Sequence, residues 1–342
     1  MSKASASALV AAFYRPTCGV RPRWPRCCPS SICAGSLPAI SAPRSKGCWA
    51  TTRLDCRATN ITRLTACWEK EYASSRERDL TGREYVYVWV DGVHFNIRLE
   101  DDRLCTLVMI GARPNGEKEL LAVEEGYRES AESWKALLCD LKRRGMVAPV
   151  VAVGDGALGF WAAVREVWPE TREQACWCHK LANVLDKLPQ RLQPRAKRAL
   201  HEMMYAERRA DCEAARSRFE AEYQAKYPKA VESLIANWER LVGFFDFPRR
   251  ALEAPAHHQR DRVAVLATVR LREWAARGAG SRTKGLLMAF KLLDMAQLRW
   301  RRLDGAQLLP LVRAGAKFVD GVRQDRPKNF THSSDNQPRE AA

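Results

Sequence analysis

The chain has no apolar run approaching the roughly 20 residues needed to cross a bilayer, which argues against a membrane-spanning helix. Its opening, Lys3 and then Ala8 to Phe13, has a short apolar core and no clear cleavage site, a poor match to a secretory signal. Paired C-x-x-C modules are also lacking, despite 12 cysteines, so a zinc-finger arrangement has little support. A disulfide framework belongs to small secreted domains, and a chain of 342 residues is not small. Acidic charge is the minority sign. With 57 Lys and Arg against 40 Asp and Glu, the net charge is +17. That balance favours a polyanionic partner, most simply nucleic acid, although charge alone leaves a merely basic soluble protein open.

Periodicity is missing at both ends. Residues 1–57 are rich in Arg, Pro, Ser and Cys, with Cys18, Cys27, Cys28, Cys33, Cys48 and Cys56 crowded together. On composition the segment is expected to be disordered, as is the polar tail 324–342. Between them the pattern is that of a folded protein. A helix is expected from Leu64, Cys67, Trp68 and Tyr72, carrying a charged face of Glu69, Lys70 and Glu71. Tyr85 to Asp91 is an apolar β-branched and aromatic run that predicts a buried strand ending at Gly92. His94–Leu99, Cys105–Gly111 and the surroundings of Leu120–Val123 predict further strands. Ser130–Arg144 predicts an amphipathic helix through Ala131, Trp134, Leu137, Leu138 and Leu141. Val150–Val153 is the next strand, Ala157–Val167 a helix, and Gln174–His179 an edge-like strand running into another helix. Residues 180–245 read as mostly helical, with breaks at Pro189, Pro194 and Pro228. A last helix is expected through Leu286, Phe290, Leu293, Gln297 and Trp300.

The candidate chemistry lies at two strand ends. Asp91-Gly92 follows the first buried run, and Gly154-Asp155-Gly156 follows Val150–Val153. Burying a carboxylate is costly unless a cation or a hydrogen-bond network compensates. Taken singly, each Asp reads as readily as a turn former. As a pair on neighbouring strands, they would make a divalent-metal site. The order of elements looks like the ribonuclease-H-like α/β core, a mixed sheet with flanking helices, here with a mostly helical insertion.

Several segments together resemble the Mutator-like family of bacterial transposases, which cut DNA with a DDE carboxylate triad. They are Val88–Val93, Val153–Trp161, Cys176–Asn183, Ala267–Arg272, Gly280–Arg282 and Met288–Leu292. The resemblance runs over residues 58–248 and 267–318. It implies that Asp91 and Asp155 are the first two metal-binding carboxylates, with Mg²⁺ (or Mn²⁺) as cofactor. It implies DNA as partner, both the element's terminal inverted repeats and the target, with assembly as a homo-oligomer on two element ends. The setting would be the bacterial cytoplasm, at the nucleoid. Cys176 and His179 match the family's C-x-x-H element, for which a structural or DNA-positioning role is expected. A zinc regulator built on Cys176, Cys178 and His179 is a distant alternative. His94 is expected to be a packed strand histidine. Arg270, Arg272, Arg277, Arg282 and Lys284 are candidate phosphate contacts, or equally an ordinary solvated face.

The third carboxylate is what the chain lacks. The family places a Glu four residues before its A-T-V-R-L-R segment, and Val263 stands there. The surrounding Arg249–Val263 matches nothing in the family. Its permitted codons, read one base later, allow Ala-Glu-His-Trp, two variable positions, and Leu-Arg-Thr-Thr-Asn-x-Ile-Glu-Ser. A frameshift over 249–266 is therefore expected, and Glu253 and Asp261, in the wrong frame, are poor substitutes. Cys28–Ile40, read one base earlier, likewise permits a stretch resembling the family's helix-turn-helix. Residues 1–57 would then be out of frame and 58–84 a remnant of the DNA-binding region. The expected organisation continues as a core at 85–183, a helical insertion at 184–248, the out-of-frame stretch at 249–266, and the rest of the core at 267–323. A chain so altered would be catalytically defective, a DDE transposase by descent or a non-catalytic basic DNA-binding remnant.

Overall fold

The computed structural model describes residues 58–97, 103–127, 129–155, 159–248 and 279–324. The expectations for residues 1–57, 249–266 and 325–342, and those for Arg270, Arg272 and Arg277, lie outside the described residues.

A five-stranded mixed sheet forms the centre. Its strands are β1 (Tyr87–Phe95), β2 (Leu104–Ala112), β3 (Lys118–Gly126), β4 (Val151–Gly154) and β5 (Arg172–Ala175). They lie in the order β3-β2-β1-β4-β5. β1, β2 and β3 pair antiparallel as a meander, whereas β4 runs parallel to β1, and β5 parallel to β4. Antiparallel neighbours can be joined directly. The parallel strands need crossovers, supplied by α2 (Ala131–Arg143) and α3 (Phe160–Val167), the helices on either side of β4 in the chain.

Each face of the sheet has its own core. Val88 and Val90 of β1 and Cys105, Leu107 and Met109 of β2 pack with Trp134, Leu138 and Leu141 of α2 and Phe160 and Val164 of α3. The alternate residue of β1, Val93, points the other way and packs with Val108 and Ile110 of β2. On that side lie Phe290 and Leu293 of α9 (Arg282–Gln297). α1 (Ala58–Glu77) joins them through Tyr72, whose ring meets Phe290 edge-on at 5.3 Å. The Tyr72 hydroxyl also donates to the Val123 carbonyl at 2.9 Å. Gln297, at the end of α9, accepts from the Leu120 backbone N–H at 3.1 Å.

Beyond β5 the chain is helical: α4 (Trp177–Leu185), α5 (Gln193–Met204), α6 (Arg209–Tyr223), α7 (Pro228–Ile235) and α8 (Trp238–Val242). These helices share a core of their own around Trp177, Leu200, Phe219 and Leu234. Lys180 is buried within it and satisfied, donating to the carbonyls of Ser233 at 2.8 Å and Ala236 at 2.7 Å. After α9, α10 (Leu309–Arg313) and the hairpin β6 (Phe318–Val319) and β7 (Val322–Arg323) follow. Leu309 and Phe318 close a fourth apolar cluster with Tyr87, Val151, Val153 and Phe247.

Several expected boundaries moved, and two of them bear on the site. The first strand does not stop at Gly92, because β1 continues to Phe95 with unbroken pairing to β2. A glycine inside a strand often marks close approach of another group, and the Glu129 side chain is packed over Gly92. The strand expected at Gln174–His179 ends at Ala175, and Trp177 already belongs to α4.

Trp134 is fully buried, with its ring edge-on to Phe160 at 5.2 Å. Trp134→Ala should destabilise the protein by about 3–5 kcal/mol. The midpoint of urea unfolding checks this, and an unchanged midpoint would contradict the packing described.

Candidate functional site

β1 pairs with β4 through Tyr87↔Val151, Val88↔Ala152 and Trp89↔Val153. Continuing that register by two residues brings Asp91 level with Asp155. The β4–β5 register, which ends at Gly154↔Ala175, continues in the same way to place Cys176 beside Asp155. The Cys176 N–H donates to the Gly154 carbonyl at 2.8 Å, so the alignment holds past the last paired residue. Three adjacent strands therefore bring Asp91, Asp155 and Cys176 into one row at the carboxyl ends of β4 and β5.

Asp91 is 7% exposed. It lies within β1, two residues beyond the end of the parallel pairing. Asp155 is half-buried, and its backbone is held by α3, since the Trp161 indole N–H donates to the Asp155 carbonyl at 2.7 Å. His179 comes from the first turn of α4. Cys176 is the residue before that helix, so the C-x-x-H spacing folds the imidazole back towards the row. His179 Nε2 stands 3.9 Å from Asp91 Oδ1, an ion pair too long for a direct hydrogen bond.

Burial by itself would lower the His179 pKa. The Cys176 sulfur next to it, followed by the Asp91 and Asp155 carboxylates, more than reverses this and raises it to about 9. The same burial lowers the Lys180 ammonium, only partly offset by Asp155. A buried carboxylate partnered by an imidazolium is compensated in the way that burial demands.

The other expected residues fall elsewhere. Lys284 is exposed on the first turn of α9, where its N–H donates to the Ser281 hydroxyl that caps the helix. Arg282 pairs with Glu125 at 2.7 Å. His94 is no packed core residue. Its side chain is exposed on β1, where Nε2 meets Glu129 Oε1 at 2.9 Å. Side chains alternate along a strand, so His94 and Gly92 lie on the opposite face from Asp91. Cys176, Cys178 and His179 do not form a cluster of three metal-ligand atoms among the described residues.

These carboxylates stand on a chain whose relatives are clear. The sequence profile described as "Transposase, Mutator family" matches residues 52–257. The chain belongs to that family. It is 50% identical over 276 residues to the transposase for insertion sequence element IS6120 of Mycolicibacterium smegmatis, covering 80% of this chain and 84% of that one. It is 41% identical over 286 residues to the transposase for insertion sequence element IST2 of Acidithiobacillus ferrooxidans, covering 80% and 92%. The transposase for ISRM5 of Rhizobium meliloti (strain 1021) is 28% identical over 198 residues, 56% of this chain and 49% of that one. Among the described residues no helix is long and apolar enough to cross a membrane.

Sequence reasoning missed Glu129. It is a lone acid in a turn, and its one signal is conformational. It has a left-handed backbone (φ 57°), uncommon for a non-glycine residue.

The raised His179 pKa has a consequence for stability. A group whose folded pKa exceeds its unfolded value of about 6.5 stabilises the fold fully below that value. The contribution is lost as pH rises through about 9. In metal-free buffer, the melting temperature should therefore decline between those two pH values, and His179→Asn should flatten the decline. Parallel slopes in thermal melts of the two proteins would refute the electrostatic account.

Proposed function

We propose that this chain is an insertion-element transposase by descent, with a ribonuclease-H-like core whose Asp91 and Asp155 hold divalent metal for DNA strand cleavage and transfer. The observation that carries the reading is the register, which sets the two carboxylates level on neighbouring parallel strands. The strand order, with a meander followed by two parallel strands, supports the fold assignment. The family membership supports DNA as substrate, with the element's terminal inverted repeats and the target as its two forms. Assembly as a homo-oligomer on two element ends, in the bacterial cytoplasm at the nucleoid, belongs to the same reading.

The donor set fits the ion. Two carboxylates offer only oxygen, which Mg²⁺ (or Mn²⁺) favours. When bound, a pair of such ions would supply an activated attacking oxygen and charge stabilisation at the leaving oxygen of a phosphodiester. The chain's own contribution is placement. β1 and β4 fix the spacing of the carboxylates, Trp161 holds the Asp155 backbone, and the His179 imidazolium balances their charge before metal arrives. Cys176 and His179 are thus positioning residues on this reading. Lys284, with Arg270, Arg272, Arg277 and Arg282, would contribute phosphate contacts.

One observation favours a second outcome for the chain as it stands. Val263 stands where the family resemblance would put the third carboxylate, and an isopropyl group binds no metal. With residues 249–266 and 1–57 out of frame, the protein would be a basic DNA-binding remnant that retains two thirds of a catalytic site.

Cleavage assays separate the two. The chain as given should bind a terminal-repeat duplex with log affinity falling linearly against log salt, and should not nick it in Mg²⁺ or Mn²⁺. The chain recoded across codons 20–60 and 249–266, with Glu restored at 263, should cut it. In that recoded protein, Asp91→Asn and Asp155→Asn should each abolish cutting while leaving binding within a few-fold. Cutting by the chain as given would overturn the defect. Cutting by a recoded Asp91→Asn protein would overturn the site.

A further inference from the structure

The face of β1 turned away from Asp91 carries a second arrangement of ligand atoms. His94 and Cys105 are cross-strand partners on β1 and β2. Glu129 reaches them from the turn before α2. His94 Nε2, Cys105 Sγ and a Glu129 carboxylate oxygen all lie within 4.8 Å of one another, the one such group among the described residues. Tetrahedral zinc, with bonds of about 2.0–2.3 Å, needs donors roughly 3.3–3.7 Å apart, so sub-ångström to ångström adjustments would close the set.

The trio is built into the fold. Cys105 is 2% exposed, whereas the His94 side chain is 41% exposed. One ligand is therefore anchored in the core and another faces solvent, leaving an entry path. Glu129 is held on two sides by glycines. A Cβ on Gly92 would stand 1.8 Å from Glu129 Oε1, and one on Gly159 would stand 2.7 Å from the Glu129 carbonyl. Its left-handed backbone aims the carboxylate across Gly92 towards His94.

We infer that His94, Cys105 and Glu129 form a zinc site, distinct from the Asp91–Asp155 pair, with a fourth position open to water. Imidazole and thiolate select a borderline ion such as Zn²⁺ over Mg²⁺, which takes oxygen ligands. Binding releases the Cys105 thiol proton to solvent and forms the Zn–S bond with the sulfur lone pair. Zinc there would clamp the turn before α2 onto β1 at His94, three residues from Asp91. The inference stands on these three side chains and does not depend on the cleavage reading.

Cobalt(II) provides the direct probe. Titrated into the full chain, it should bind with an intense near-ultraviolet thiolate-to-cobalt charge-transfer band that zinc displaces. Cys105→Ser should abolish the band, whereas Cys176→Ser should leave it. His94→Ala, at an exposed position, should weaken the affinity at least about 100-fold, with circular dichroism unchanged. Gly92→Ala, which removes no ligand, should displace the Glu129 carboxylate and weaken binding too. A band that survives Cys105→Ser, one lost with Cys176→Ser, or cobalt affinity unmoved by His94→Ala would overturn the site. So would the absence of any charge-transfer band.

Discussion

Three residue pairs between β1 and β4 carry the rest of the structure. Tyr87, Val88, Val151 and Ala152 are essentially without solvent exposure, and Val153 is nearly so. The parallel ladder runs between two apolar layers. It ends at Trp89↔Val153, and within two residues on each strand the chain turns from aliphatic to carboxylate. The two facts are linked. A central parallel strand must be apolar on both faces, so a charge has to wait until the ladder ends. Both strands run in the same direction and end at the same level, so both charges emerge together. Like charges side by side at low exposure repel and resist desolvation. The apposition persists because the C-x-x-H turn at the end of the neighbouring β5 returns an imidazole to the same row. A sheet with β4 antiparallel to β1 would have sent the two aspartates to opposite ends.

Much of this was legible in the sequence because burial on both faces leaves a plain signature. Tyr85–Val90 and Val150–Val153 admit no polar residue, so strand identity followed from composition alone. α2 and α9 were legible from apolar spacing, although α9 ends at Gln297, short of the expected Trp300. The errors lie where a tertiary contact decides a local matter. Gly92 looks like a strand terminator, yet its role is to leave room for the Glu129 carboxylate, which arrives from 37 residues downstream. The sequence places the start of α4 three residues late, for a different reason. Cys176 makes no side-chain capping bond, so the Ser, Thr, Asp or Asn that marks a helix start is missing, and an apolar Ala-Cys-Trp-Cys run reads as strand. Pairing of His94 with Glu129 was invisible because nothing in local sequence ties a strand residue to a turn so far along the chain.

The two faces of β1 divide the work. On its odd-numbered side Tyr87 meets the apolar cluster of Leu309 and Phe318, Val93 meets the layer under α9, and Asp91 stands between them. Its even-numbered residues meet α2 and α3 and then present Gly92 and His94. Alternation alone enforces this separation, which keeps an oxygen-only donor set on one side and a mixed nitrogen, sulfur and oxygen set on the other. Cys105 feels both, since burial first and then the nearby Glu129 and Asp91 charges raise its thiol pKa to about 12. A thiol so raised stays protonated until a metal takes the proton's place, whereas an exposed cysteine of ordinary pKa would be open to oxidation.

On the proposed reading, loss of the third carboxylate separates chemistry from folding. Among the described residues, the apolar contacts that define the core include Phe247 before residues 249–278 and Leu287, Phe290 and Leu293 after them. None of them is a carboxylate. A clustered set of acidic ligands works against the folded state in the absence of metal, because each added negative charge deepens the repulsion. Replacing one by valine therefore relieves that repulsion. Sites that perform chemistry are commonly poorer in stability than the scaffold around them requires. Among the described residues, the strand order, the buried Asp91 and the cap of α9 rest on packing and backbone pairing in which no third carboxylate takes part.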